Sequence, residues 1–139
     1  GEAAGTPAAV HLVQSTRLSL MAGIAAAQPG NRIGDISGAV EDVAVAAGLG
    51  IIRGYGGHGI GTSMHEPPHV LNFRTRDAGI KLVPGHCLAI EPMLVIGNEA
   101  TRTLADRWTV VTADRSLAAH FEHTVAITAD GPQILTTAA

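Results

Sequence analysis

The stretch Arg53–His69, "RGYGGHGIGTSMHEPPH", decides the fold because it supports two incompatible readings. Gly54, Gly56 and Gly59 fit G-x-G-x-x-G, the turn that cradles a dinucleotide pyrophosphate, while His58, His65 and His69 in the same run are imidazoles suited to a metal. The phosphate reading needs a strand leading into the glycines and a helix leading out, so that the helix N-terminus faces the anion. The residues after Gly59 are "IGTSMHEPPH", and Pro67 and Pro68 stop a helix before two turns are complete. An acid about 20 residues further on would fall in the loop-like segment "RTRDAGIK". The glycine match is weak evidence on its own, and the histidines leave a metal site or ordinary hydrogen-bonded loop residues as the readings to weigh.

Towards the N-terminus, residues 7–27 are rich in Ala, Leu and Val. Val10, Val13, Leu20 and Ile24 recur at helical spacing until Pro29-Gly30 ends the run. A second helix is expected over about 34–47, where Ile33, Ile36, Val40, Val43 and Ala47 form one face and Gly48 suits the left-handed position that closes a helix. Beyond residue 50 the apolar runs shorten and turn signals separate them. Strands are expected near 51–54, 87–95, 108–112, 122–129 and 133–136, the last two joined as a hairpin at Asp130-Gly131-Pro132. The expected fold is a single α+β domain over 1–139, two helices covering a curved antiparallel sheet.

The chain has 139 residues, 46% of them apolar, enough for one core. A formal net charge of −3 with nine scattered Lys and Arg argues against nucleic acid as a partner. The only cysteine, Cys87, cannot form an internal disulfide, and the N-terminus lacks a charged start followed by an apolar core. Both point to the cytoplasm. The longest apolar stretch, "LSLMAGIAAA", is well short of the roughly 20 residues of a membrane span, so no membrane segment is expected.

A metal centre asks for ligands that converge in space. His58 lies in a Gly-rich loop after an expected strand, and Glu91 in "LAIEPML" and Glu122 in "HFEHTVAIT" each interrupt an apolar strand. Carboxylates among Leu, Ile and Val are costly unless a cation or a hydrogen-bond network compensates. An imidazole with two carboxylates suits Co, Mn, Fe or Zn rather than a soft metal. His69, His86, His120 and His123 read as structural or exposed, and His11 as a surface residue of the first helix.

"GYGGHGIGTSMHEPPHV", "PGHCLAIEPML", "DRWTVVTADRSLAAHFEHTVAIT" and the closing "ILT" resemble, in order and spacing, the C-terminal half of type I methionine aminopeptidases, which have the pita-bread fold. The resemblance runs from the first helix to the end without an insertion between the motifs. It implies that His58 and Glu91 are ligands of one metal and that Glu122 bridges two divalent ions. His65 would contact the scissile amide, and Glu91 would also handle the proton in catalysis. Met64 and Trp108 would line the pocket for the substrate's N-terminal methionine. The implied activity is two-metal hydrolysis that removes the first methionine from nascent polypeptides, by an enzyme that is a monomer when complete.

The family also uses two aspartates from its preceding half, and none of Asp35, Asp42, Asp77, Asp106, Asp114 and Asp130 has their context. The resemblance therefore implies a fragment that lacks the N-terminal half as its partner and is inactive as it stands. Two alternatives stay open: an Xaa-Pro aminopeptidase or prolidase-like enzyme of the same fold, and a stand-alone half that binds without catalysis.

Overall fold

The computed structural model describes residues 5–137. Helix α1 spans Pro7–Ala26 and starts where Thr6 Oγ1 accepts the Ala9 N–H (3.3 Å), with Pro7 at the first helical position. Helix α2 spans Ile33–Ala46; the Asp35 carboxylate accepts the Arg32 N–H (2.7 Å) at its start, and Gly48, at φ +68°, follows its end. The helices cross closely at Gly23, where a Cβ would lie 2.9 Å from a Val40 methyl. Their inner faces, including Leu20, Ile24 and Ile36, pack on Leu88, Ile90, Val125 and Ile127 of the sheet. Among the described residues no helix is long and apolar enough to cross a membrane.

The strands are β1 (Gly50–Ile51), β2 (Gly57–Gly59), β3 (Glu66–Val70), β4 (Cys87–Ile90), β5 (Met93–Val95), β6 (Thr101–Thr103), β7 (Val110–Thr112), β8 (Ala118–His120), β9 (His123–Thr128) and β10 (Gly131–Ile134). They pair antiparallel into a five-stranded sheet ordered β10-β9-β4-β2-β3, a three-stranded sheet β1-β5-β8 and the β6-β7 hairpin. Both helices stand where the sequence places them; the C-terminal hairpin forms, but its turn is at Ala129-Asp130, and Gly131 and Pro132, expected in the turn, already belong to β10.

The strands differ from expectation in ways that matter for the site. The run expected at 87–95 is two strands, β4 and β5, separated at Glu91-Pro92, and Glu122 precedes β9 rather than lying inside it. Each acid therefore stands in a break between two strands rather than inside one. His58 stands on β2, not in a loop, and Trp108 lies before β7. The Pro-containing segment forms β3 at the edge of its sheet, where a missing N–H is tolerated. Strands β2, β3, β6 and β8 had no clear local signal, being short or polar.

The β4–β9 ladder runs from Cys87↔Ala126 to Ile90↔His123, and the β5–β8 ladder continues from Met93↔His120 to Val95↔Ala118. The register is the same on both sides of the interruption. Glu91 and Glu122 are thus set opposite each other where one sheet hands over to the next.

The glycines that mimic a phosphate turn serve close strand contact. A Cβ on Gly57 would run into the Ala89 carbonyl oxygen, and one on Gly59 into the Pro67 carbonyl oxygen. Gly57→Ala is expected to destabilise the chain by about 1–3 kcal/mol, since backbone rather than a flexible side chain must move. Denaturant unfolding checks this, and an unchanged midpoint would contradict it.

Candidate metal centre

Three strands bring the expected ligands together. His58 on β2 pairs with Ala89 on β4, and Glu91 lies two residues beyond Ala89, so alternation places both side chains on one face. Glu122 joins them from across the interruption. One donor atom from each of His58, Glu91 and Glu122 lies within 4.8 Å of the others. The side chains of His58 and Glu91 are only 12% and 13% accessible, whereas Glu122 is exposed on the open side.

The hydrogen bonding of His58 fits a metal ligand. Its Nδ1 lies 3.0 Å from the Gly59 carbonyl oxygen. A carbonyl can only accept, so Nδ1 carries a proton and Nε2 is the ring nitrogen turned to the site. That Nε2 faces Glu91 Oε1 at 3.6 Å. Two carboxylates this close repel one another unless a positive charge sits among them. Donation of the far ring nitrogen to a carbonyl is also the usual support of a ligating histidine. The donor set thus suits a divalent ion held by nitrogen and oxygen ligands.

His65 lies on the bend between β2 and β3, its ring stacked on His58 with centroids 4.3 Å apart and planes tilted by 46°. A second imidazole thereby stands beside the cluster. His120 is exposed, as expected, and is also directed at the site: its Nε2 is 3.4 Å from Glu91 Oε2. The hydrogen bond to Glu91 is the main influence raising the His120 imidazole above its ordinary pKa, desolvation opposes it, and the charges of Glu91 and Glu122 add to the rise. The "HFEH" spacing held a clue, because alternation puts residues two apart on the same side of an extended chain.

Asn72 gave no such clue. It is 1% accessible and its Nδ2 donates to the Glu91 carbonyl oxygen (3.1 Å), occupying a backbone acceptor at the interruption. His69 pairs with His58 across β2–β3, and His123 meets Thr136 Oγ1 at 2.8 Å; neither joins the metal-suited group. His11 reaches the Ala47 carbonyl (3.0 Å) and links α1 to the end of α2.

Met64 and Trp108 are 76% and 87% accessible. A cleft of about 290 Å³ opens beside the centre, its wall including Ile52, Tyr55, Met93, Val110, Ala119 and His120. Neither Met64 nor Trp108 forms that wall. Trp108 is presented by a turn built on Asp106, whose Oδ2 accepts the Thr109 hydroxyl (2.5 Å) and whose Oδ1 accepts the N–H groups of Trp108 (3.0 Å) and Thr109 (2.9 Å).

Those bonds, the Thr109 hydroxyl first, hold the Asp106 carboxyl below its ordinary value of 3.8. A carboxylate depressed in the folded state favours the turn above the unfolded value and loses that influence as pH falls through the folded one. Fluorescence anisotropy of Trp108, the single tryptophan, is expected to hold steady down to pH 3.8 and drop below it. Asp106→Ala should lower it above pH 3.8, where the wild-type carboxylate is charged. An unaltered anisotropy in that variant would contradict the role of the turn.

Comparison with known proteins identifies the family and the fold. Methionine aminopeptidase 1 of Mycobacterium tuberculosis is 53% identical over 131 residues, covering 90% of this chain and 49% of the relative. The structure of methionine aminopeptidase from Thermotoga maritima superposes with a TM-score of 0.92 at 41% identity, over 96% of this chain and 53% of that one. A prolidase from Pyrococcus furiosus, 19% identical with a TM-score of 0.75 over 98% of this chain and 34% of its own, shares the fold alone. The chain spans about half the length of the curated relatives it matches. Its two helices on antiparallel sheets match the pita-bread fold of methionine aminopeptidases over that half. Residues 3–129 match the family described as metallopeptidase family M24, and the chain belongs to that family.

Proposed function

We propose that this chain forms one wall of a two-metal aminopeptidase centre that removes methionine from the N-terminus of newly made polypeptides in the cytoplasm. The observation that carries the reading is the convergence of His58, Glu91 and Glu122, with His58 Nε2 turned towards Glu91. The likeness to methionine aminopeptidases supports the substrate. Three donors do not complete two coordination spheres, and we place the remaining ligands on the part of the relatives' length that this chain does not cover.

His58 and Glu91 would hold one ion and Glu122 would bridge to the second, with Co, Mn, Fe and Zn all compatible with the donors. When bound, such ions supply Lewis acidity and a water acidic enough to act as the nucleophile near neutral pH. The Glu91 carboxylate takes up a proton and returns it to the leaving amine. His65, stacked on His58, offers a ring N–H to the oxygen on which negative charge develops. Met64 and Trp108 provide exposed apolar surface, and the adjacent cleft provides enclosed apolar space, for an unbranched thioether side chain.

The test is release of Met from Met-Ala-Ser by the full polypeptide supplied with Mn(II) or Co(II), set against cleavage of an Xaa-Pro peptide. Release of Met with no Xaa-Pro cleavage is expected. Preference for the Xaa-Pro peptide would move the chain to the prolidase-like activity, and cleavage of neither would favour a non-catalytic binding role.

A further inference from the structure

We propose that His120 is a positioning residue that holds the Glu91 carboxylate in the orientation the metal centre requires. The inference rests on the metal-centre reading above and adds a residue to it. The two oxygens of Glu91 face different imidazoles: Oε1 lies 3.6 Å from His58 Nε2, and Oε2 lies 3.4 Å from His120 Nε2. His58, Glu91 and Glu122 form the compact donor group, and His120 stands outside it. His120 therefore reaches the centre through Glu91 rather than as a further ligand.

The backbone explains how it is placed. His120 ends β8 directly opposite Met93, two residues beyond Glu91, so it approaches the carboxylate from the side away from β2. Asn72 meanwhile fixes the Glu91 carbonyl at 3.1 Å. One donor thus holds the main chain of Glu91 and another holds its outer oxygen, leaving the inner oxygen aimed at the His58 side. A glutamate side chain has several rotatable bonds, and fixing them without a partner costs conformational entropy. Hydrogen bonds to the outer atoms of a ligand commonly change metal affinity by about 10–100-fold.

The experiment compares wild type, His120→Gln and His120→Leu in the full polypeptide, by calorimetric titration with Mn(II) and by thermal unfolding without metal. His120→Leu is expected to weaken Mn(II) binding about 10–100-fold. His120→Gln, whose amide N–H can reach the same oxygen, should recover most of that loss, and both variants should unfold near the wild-type temperature. Equal affinity in wild type and His120→Leu would overturn the proposal. So would a loss in His120→Gln as large as in His120→Leu, which would make the imidazole itself a ligand, or a fall in metal-free unfolding temperature that accounts for the weaker binding. Wild type that takes up no Mn(II) would instead overturn the metal reading, a result distinguishable from wild type and His120→Leu binding alike.

Discussion

Glu122→Ala is expected to cost the polypeptide both its metal and its release of Met. Glu122 is exposed and outside the apolar core, so its removal leaves no cavity and far-ultraviolet circular dichroism should not change. What it removes is one of the two carboxylate charges in the donor group. Loss of a residue that merely supports a ligand costs about 10–100-fold in metal affinity, and loss of a ligand should exceed that, beyond about 100-fold. Met release should fall by at least about 1000-fold, equivalent to about 4 kcal/mol of transition-state stabilisation. Glu122→Gln, which keeps the shape and loses the charge, should fail in the same way. Metal content of the purified variants and single-turnover rates on Met-Ala-Ser check both expectations, and wild-type turnover by Glu122→Ala would remove the basis for the proposed centre.

The second large effect is expected at His65, with the opposite partition between binding and rate. His65 stands outside the donor group and touches it through the ring stack on His58. His65→Ala should retain metal within about tenfold of wild type, a smaller loss than at a ligand. Its kcat should fall by about 100- to 1000-fold with little change in KM, the pattern of a donor that acts on developing charge. Metal content separates this from a structural role. If metal and rate fall together, the contribution of His65 is to hold the His58 ring, and its direct part in the reaction is withdrawn.

The two expectations differ because the chain supports the two histidines differently. His58 is anchored on β2, paired with His69 on one side and Ala89 on the other, and its Nδ1 is engaged by the neighbouring carbonyl. His65 lies on the bend that follows, between two short strands, and its contact with the centre is the ring of His58. A side chain on a paired strand is placed by the ladder, whereas one on a bend can respond to a substrate.

Local chemistry made the helices legible. Apolar residues at steps of three and four, Pro29-Gly30 after one helix and Gly48 beyond the other all act within a few residues, and α1 and α2 appear where those signals put them. The C-terminal hairpin is local in the same sense: Gly131 adopts φ +117° and Thr128 Oγ1 donates to its carbonyl at 2.7 Å. The middle of the chain was harder to read because its strands are two to six residues long, and glycines and prolines that usually mark loops are here part of β2 and β3. Gly57 and Gly59 in particular are required by strands approaching too closely for any side chain, a demand invisible until the partner strands are known.

By itself, the sequence determined the donor types, the two helices and the absence of a helix after the glycine run, because these follow from side-chain chemistry and short-range geometry. Only the tertiary structure decided that Glu91 and Glu122 stand opposite each other where one sheet hands over to the next, that His58 turns Nε2 towards Glu91, that Asn72 donates to the Glu91 carbonyl and that His120 Nε2 lies 3.4 Å from the other Glu91 oxygen. Those relations depend on cross-strand register between segments distant in sequence. Register is fixed when the apolar faces of the β4–β9 pair close on α1 and α2, because a one-residue slip would turn Leu88, Ile90, Val125 and Ile127 out of the core and carry the carboxylates away from His58.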